Sequence, residues 1–155
     1  MNENKPWLKY EPRKDNLLLI LHEVQEQYWE EQYVPRGIIA EIAEYLGMPV
    51  SEVDGITSFY TLFSVEPRGR IILRLCDSLS CRILGSLDIY HYISDTLGIK
   101  SGETTADGMF TLEVVNCLGS CDTAPNMLVN DRLFTKLTPE KLDELFAKLR
   151  KEVAV

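Results

Sequence analysis

Arg70-Ile71-Ile72-Leu73-Arg74-Leu75-Cys76-Asp77-Ser78-Leu79-Ser80-Cys81 is a short apolar run that follows a turn and closes on two thiols. An apolar stretch of this length, bounded by Gly69 and a polar loop, suits a buried strand better than a helix. A strand is therefore expected here, with Cys76 at its end.

Downstream, Ile83, Leu84, Leu87, Tyr90 and Ile93 recur at helical spacing, so a helix is expected from about Ser80 to Leu97, capped by Gly98. After a polar connection from Ser101 to Gly108, Met109 to Val115 alternates and is rich in β-branched residues, which predicts a second strand ending just before Cys117. Met127–Val129 and Leu133–Thr135 flank Asn130-Asp131, residues that tolerate positive φ, and read as a hairpin. Thr138-Pro139 opens a last helix that buries Leu142, Leu145, Phe146 and Leu149. This order of strands and helices predicts a small α/β sandwich.

Upstream the pattern is helical. Leu17, Ile20, Leu21, Val24 and Tyr28 predict an amphipathic helix from Asp15 to about Glu31. A second helix follows Pro35, buries Ile39, Ile42, Ala43 and Leu46, and meets Gly47. Ser51-Glu52-Val53-Asp54 matches a capping signature for a third, shorter helix. Phe59, Tyr60 and Phe63 then read as core aromatics at a domain junction, with a docking surface as the alternative, and Glu66-Pro67-Arg68-Gly69 as turn and linker. The fold class is α+β: a helical domain over 1–69, then an α/β domain over 70–155.

The chain has 155 residues, 45% hydrophobic and 26% charged, the balance of an ordinary globular protein. Its net charge is −8, and residues 1–69 carry 6 basic against 12 acidic side chains, which disfavours nucleic acid as a partner. The longest strongly apolar run, Leu17–Leu21, is too short to insert into a membrane, and charges interrupt the first residues as no signal peptide would allow. A cytoplasmic chain is expected. No G-x-G-x-x-G is present, and no catalytic residue is identified. His22 and His91 fall within expected helices and read as surface or boundary histidines, and Glu23, Glu26, Glu30 and Glu31 as a solvated helix face.

The four cysteines form two pairs, Cys76/Cys81 and Cys117/Cys121, separated by 35 residues. In the cytoplasm thiols stay reduced, so metal or redox chemistry is favoured over disulfides. Both pairs follow expected strands, so loops held by one sheet can aim four thiolates together, as a cluster of two irons with two ligands each requires. Spacing alone leaves this open beside a structural zinc site in a protein-interaction module, with reactive thiols or buried core cysteines as lesser alternatives. Ser78, Ser80, Gly119 and Ser120 are candidate donors to such a cluster, and Arg82 a candidate counter-charge.

Val53-Asp54-Gly55-Ile56-Thr57-Ser58-Phe59-Tyr60, the polar stretch Gly102 to Gly108, Phe110-Thr111-Leu112, and Cys117-Leu118-Gly119-Ser120-Cys121 followed by Ala124-Pro125 together carry a resemblance. The chain resembles the thioredoxin-like 2Fe-2S subunits of NADH-oxidising modules, which occur in respiratory complex I (NADH-quinone oxidoreductase), in NAD-linked hydrogenases, electron-bifurcating ones included, and in formate dehydrogenases. The resemblance implies a thioredoxin-like second domain and one 2Fe-2S cluster held by Cys76, Cys81, Cys117 and Cys121. It also implies an electron-carrying role without an active site of its own. The implied partners are a larger iron-sulfur subunit that binds FMN and NAD(H), contacted by the N-terminal helices, and further redox subunits. Asn116 stands where the family often has glutamate, Ser120 where alanine is usual, and Asp77-Ser78-Leu79-Ser80 replaces the commoner threonine-proline form.

Overall fold

The computed structural model describes residues 5–153, which divide between two compact units, one ending at Arg70 and one beginning at Ile71.

The first unit is helical, with α1 over Leu17–Gln27, α2 over Arg36–Leu46 and α3 over Val50–Phe59. Ile20, Leu21 and Val24 of α1 meet Ile39, Ile42 and Ala43 of α2 and Val53 of α3 in one core, joined by the buried Trp7 and Phe63. α1 stops at Gln27, earlier than the expected Glu31. The apolar stripe fails there: Trp29 is exposed, and Glu31 and Gln32 both donate their amides to the Tyr28 carbonyl in a tight turn. Gly47 takes the left-handed conformation that ends α2, as its position predicts.

Three expectations in this unit are corrected. Ser51 makes no cap: Pro49 stands at the N-cap, its carbonyl accepts the Glu52 and Val53 amides at 3.0 and 3.3 Å, and Ser51 lies inside the first turn. Proline's fixed φ starts the helix without a side-chain acceptor. Of the three aromatics only Phe63 is core; Phe59 is 78% exposed and Tyr60 43% exposed, because α3 ends at Phe59 and the chain turns before Phe63 points inward. Arg68 is not linker but is buried: its guanidinium donates to the carbonyls of Gln32, at 3.0 and 2.7 Å, and Leu62, at 3.2 Å.

The second unit holds a four-stranded sheet built from β1 (Ile71–Cys76), β2 (Phe110–Val115), β3 (Met127–Val129) and β4 (Arg132–Phe134), in the order β2-β1-β3-β4. β1 runs parallel to β2 and antiparallel to β3, and β3 pairs antiparallel with β4. As a central strand β1 is buried almost throughout, which explains why it reads as an apolar run. Its exception, Arg74, faces Glu113 across the parallel pair and donates to it at 2.9 Å. Asn130, at φ 50°, closes the β3–β4 turn as expected, and its side-chain oxygen accepts the Ile72 amide at 2.8 Å.

Helices α5 (Ser86–Leu97) and α6 (Pro139–Val153) pack on the sheet face that carries Ile71, Leu73 and Leu75, where Ile89, Ile93, Phe110, Leu142 and Phe146 complete the core. Thr138 caps α6 by accepting the Lys141 amide at 3.4 Å. The single helix expected from Ser80 to Leu97 is instead two. A short α4 (Leu79–Ile83) precedes Gly85, whose φ of 96° breaks the helix before α5 begins. Ile83 and Leu84 continue the apolar period of α5 in sequence, yet the break leaves them 74% and 56% exposed.

β2 lies at the edge of the sheet, and the segment 101–105 covers it. Gly102 donates to Leu112, Leu112 to Glu103, and Thr105 to Phe110. The turn that returns the chain to β2 is organised by Asp107, whose carboxylate accepts the Thr105 hydroxyl and the Met109 amide, the latter at 3.0 Å. The Thr105 hydroxyl, then the Met109 amide, hold the Asp107 carboxyl below its ordinary value. A depressed folded value means the stabilisation is complete above the unfolded aspartate value and is lost as pH falls through the lower folded one. In Asp107→Asn, whose amide does not titrate, thermal melts are expected to lie below wild type at neutral pH and to converge with it in acid. The gap is on the order of a few tenths of a kcal/mol, because the side chain is exposed and screened. A pH-independent gap would contradict this.

Candidate cofactor site

β1 and β2 are parallel and in register from Ile71↔Phe110 to Cys76↔Val115, so both end at the same side of the sheet. The Asp77 amide extends the pairing, donating to Val115 at 3.0 Å. Parallel pairing therefore brings together two cysteine loops that are far apart in sequence. Cys76 closes β1, Cys81 sits in α4, and Cys117 and Cys121 flank the loop after β2. Cys76 and Cys81 are buried; Cys117 and Cys121 are exposed.

The sulfurs form two close pairs. Cys117 and Cys121 Sγ lie 3.3 Å apart, and the buried Cys76 and Cys81 thiols shift one another's pKa. Gly119, at φ 84°, turns its amide back onto Cys117 Sγ at 3.4 Å, a left-handed conformation that a residue with a Cβ rarely adopts. Burial by itself pushes the Cys76 thiol up, but hydrogen bonds from the backbone of Ser78 and Leu118 and from the Cys81 and Ser78 side chains hold it below the ordinary thiol value. Cys81 is pushed up to about 11, by burial first and then by Cys76, although the Asn126 backbone hydrogen bond opposes this. Cys121 is raised by its bond to Cys117, against the Ser80 side chain.

Cys81 and Cys121, whose thiols are pushed up in part by their cysteine neighbours, have a simple chemical remedy, since metal cations replace thiol protons and make thiolate proximity favourable. Among the described residues no three His, Cys, Asp or Glu side chains converge on a point suited to a single metal ion. A binuclear group asks for something different, two thiolates on each of two metals, with N–H and O–H donors around the sulfurs. The residues present fit that demand.

Of the expected donors, Ser78, Ser80 and Gly119 face sulfur. Ser120 does not; its hydroxyl pairs with Thr123 at 2.7 Å. Arg82 is committed to Asp77, reaching both carboxylate oxygens at 2.7 and 2.8 Å, and Ser86 donates to the same carboxylate at 3.1 Å. The arginine's charge is thus largely compensated. His22 packs edge-on against Phe63 in the first unit, and His91 stands exposed on α5 beside Tyr90. The backbone amides of Leu118 and Asn126 were not among the sequence candidates, and nothing in their side chains signals them.

A family model described as thioredoxin-like 2Fe-2S ferredoxin matches residues 4–150. The chain is 42% identical over 118 residues to a subunit of the NADH-quinone oxidoreductase of Salmonella typhimurium, covering 76% of this chain and 71% of that protein. It is 39% identical over 145 residues to NADH-quinone oxidoreductase subunit 2 of Thermus thermophilus, covering 92% of this chain and 78% of that protein. Among solved structures it resembles an NAD+-reducing NiFe hydrogenase in the air-oxidised state, with a TM-score of 0.77 over 89% of this chain at 24% identity. The chain spans only 23% of that hydrogenase chain, so this likeness concerns the fold alone.

Proposed function

The chain belongs to the thioredoxin-like 2Fe-2S ferredoxin family, and from that membership we propose that it is the electron-carrying subunit of a multi-subunit NAD(H)-dependent oxidoreductase. It holds one 2Fe-2S cluster on Cys76, Cys81, Cys117 and Cys121, in the domain over 70–155. The observation that carries this reading is the delivery of both cysteine loops to one end of the sheet by the parallel strands β1 and β2, with backbone and hydroxyl donors facing the sulfurs. The family match favours a two-iron group over structural zinc, whose cysteine pairs usually show a two-residue spacing that neither pair here has. Bound there, the cluster supplies the capacity to take up and return one electron at a time.

The chain's own residues supply the setting. Ser78, Leu118, Gly119 and Asn126 direct amides at sulfur, which stabilises negative charge on the thiolates. Cys117 and Cys121 are exposed, and Leu79, Ile83 and Leu84, exposed on and just after the helix that carries Cys81, offer an apolar surface. This surface suits docking against the partner that binds flavin and NAD(H), with the helical domain over 1–69 as a second point of contact and further redox subunits beyond. NADH-quinone oxidoreductase is the complex that the named sequence relatives favour. Among the described residues no helix is long and apolar enough to cross a membrane, and reduced thiols fit a cytoplasmic setting.

Anaerobic purification of the chain tests the reading. Visible charge-transfer absorption, an EPR signal after reduction, and iron without zinc are expected. A colourless protein with one zinc per chain would overturn it, as would isolation of the native chain free of any NADH-oxidising flavoprotein.

A further inference from the structure

Asn126 follows Pro125 at the entrance to β3 and is only 1% exposed, although its side chain is polar. Both ends of its buried amide meet the second cysteine loop: Nδ2 donates to the Ser120 carbonyl, beside Cys121, and Oδ1 faces the Thr123 hydroxyl at 3.4 Å, whose proton is shared with the Ser120 carbonyl at 3.1 Å. Its backbone serves the other cysteine loop, since its carbonyl accepts the Cys76 amide at 3.0 Å. One residue therefore touches the frame of both cysteine pairs, one through its main chain and the other through its side chain.

We propose that Asn126 is the positioning residue that sets the Cys117/Cys121 loop against the Cys76/Cys81 loop, and so fixes the spacing of the two sulfur pairs. The inference rests on the four-cysteine cluster reading above. The physical case is that the loop from Asn116 to Ala124 has little regular structure, only a single turn at Cys121–Thr123, and a surface segment of this kind holds its place by specific bonds. A buried amide that loses its partners is costly, so the bonds to Ser120 and Thr123 hold the loop in one arrangement. Polar groups that orient metal ligands in this way govern how firmly the metal is held.

The test uses the full chain, purified anaerobically, as wild type, Asn126→Ala, Thr123→Val and Leu145→Ala. Leu145 is a buried core residue of α6 and serves as a control for general destabilisation. Far-UV circular dichroism and thermal melts report folding; chelator-driven iron loss and the EPR spectrum of the reduced chain report the site. Asn126→Ala is expected to lose iron about tenfold faster than wild type and to shift the EPR g values. Thr123→Val should move both readouts the same way by less, and Leu145→Ala should lower the melting temperature with both readouts unmoved. Should Asn126→Ala fail to fold, Thr123→Val decides by the same criterion. Equal iron-loss rates and unchanged g values in the folded variants overturn the proposal, as do changes that Leu145→Ala reproduces. A wild-type chain with no cluster signal would instead overturn the cluster reading.

Discussion

Cys81→Ala is expected to abolish the cluster: anaerobically purified protein should be colourless, EPR-silent after reduction, and at background iron content. Cys81 is 1% exposed and sits in α4, where Cys76 helps to push its thiol up. Alanine leaves Cys76 as the one remaining thiol of its pair, and no other His or Cys side chain belongs to α4 or to the loop before it. A two-iron cluster needs two ligands on each iron, so losing one empties the site. The loss should be confined to the site, because Cys81 lies outside the cluster of side chains that forms the core of this unit. Removing one small buried group costs about 1 kcal/mol, and the far-UV circular dichroism should match wild type. Iron content and an EPR spectrum like those of wild type would exclude Cys81 as a ligand.

Phe110→Ala should produce the largest loss of stability. Phe110 opens β2, is fully buried, meets Phe146 of α6 edge-to-face at 5.6 Å, and carries the Arg150 guanidinium 5.7 Å above its ring. It therefore joins the sheet to the C-terminal helix. Truncation removes the apolar burial, leaves a cavity between rigid elements and loses the aromatic contact, together about 3–5 kcal/mol. Urea unfolding followed at the transition of the second unit should show that drop in free energy with an unchanged denaturant slope. A change under about 1 kcal/mol would mean that α6 collapses onto the sheet and fills the space. Because β2 also carries the second cysteine loop, iron uptake by this variant should fall only as its folded fraction falls.

Elements bounded by strong local signals were legible in the sequence. β1 was set by its short apolar run, α2 by its stripe and Gly47, α6 by Thr138-Pro139, and the last hairpin by Asn130. Period was misleading where a backbone break intervened: Ile83 and Leu84 match the stripe of α5, but Gly85 ends the helix before they can share its face. Composition misled at Glu66–Gly69, which has the residues of a linker while Arg68 is anchored by three carbonyl contacts.

The sequence by itself determined the order of the strands, and of the helices apart from the break between α4 and α5, and placed each cysteine pair after a strand, because these follow from periodicity and turn chemistry acting over a few neighbouring residues. Only the tertiary structure decided which groups surround the thiols. Parallel pairing of β1 with β2 brings Leu118 beside Cys76, and the entrance to β3 brings Asn126 beside both loops. Those contacts are made largely by backbone amides and carbonyls, which every residue but proline carries in full, so side-chain identity gives no sign of where they will point.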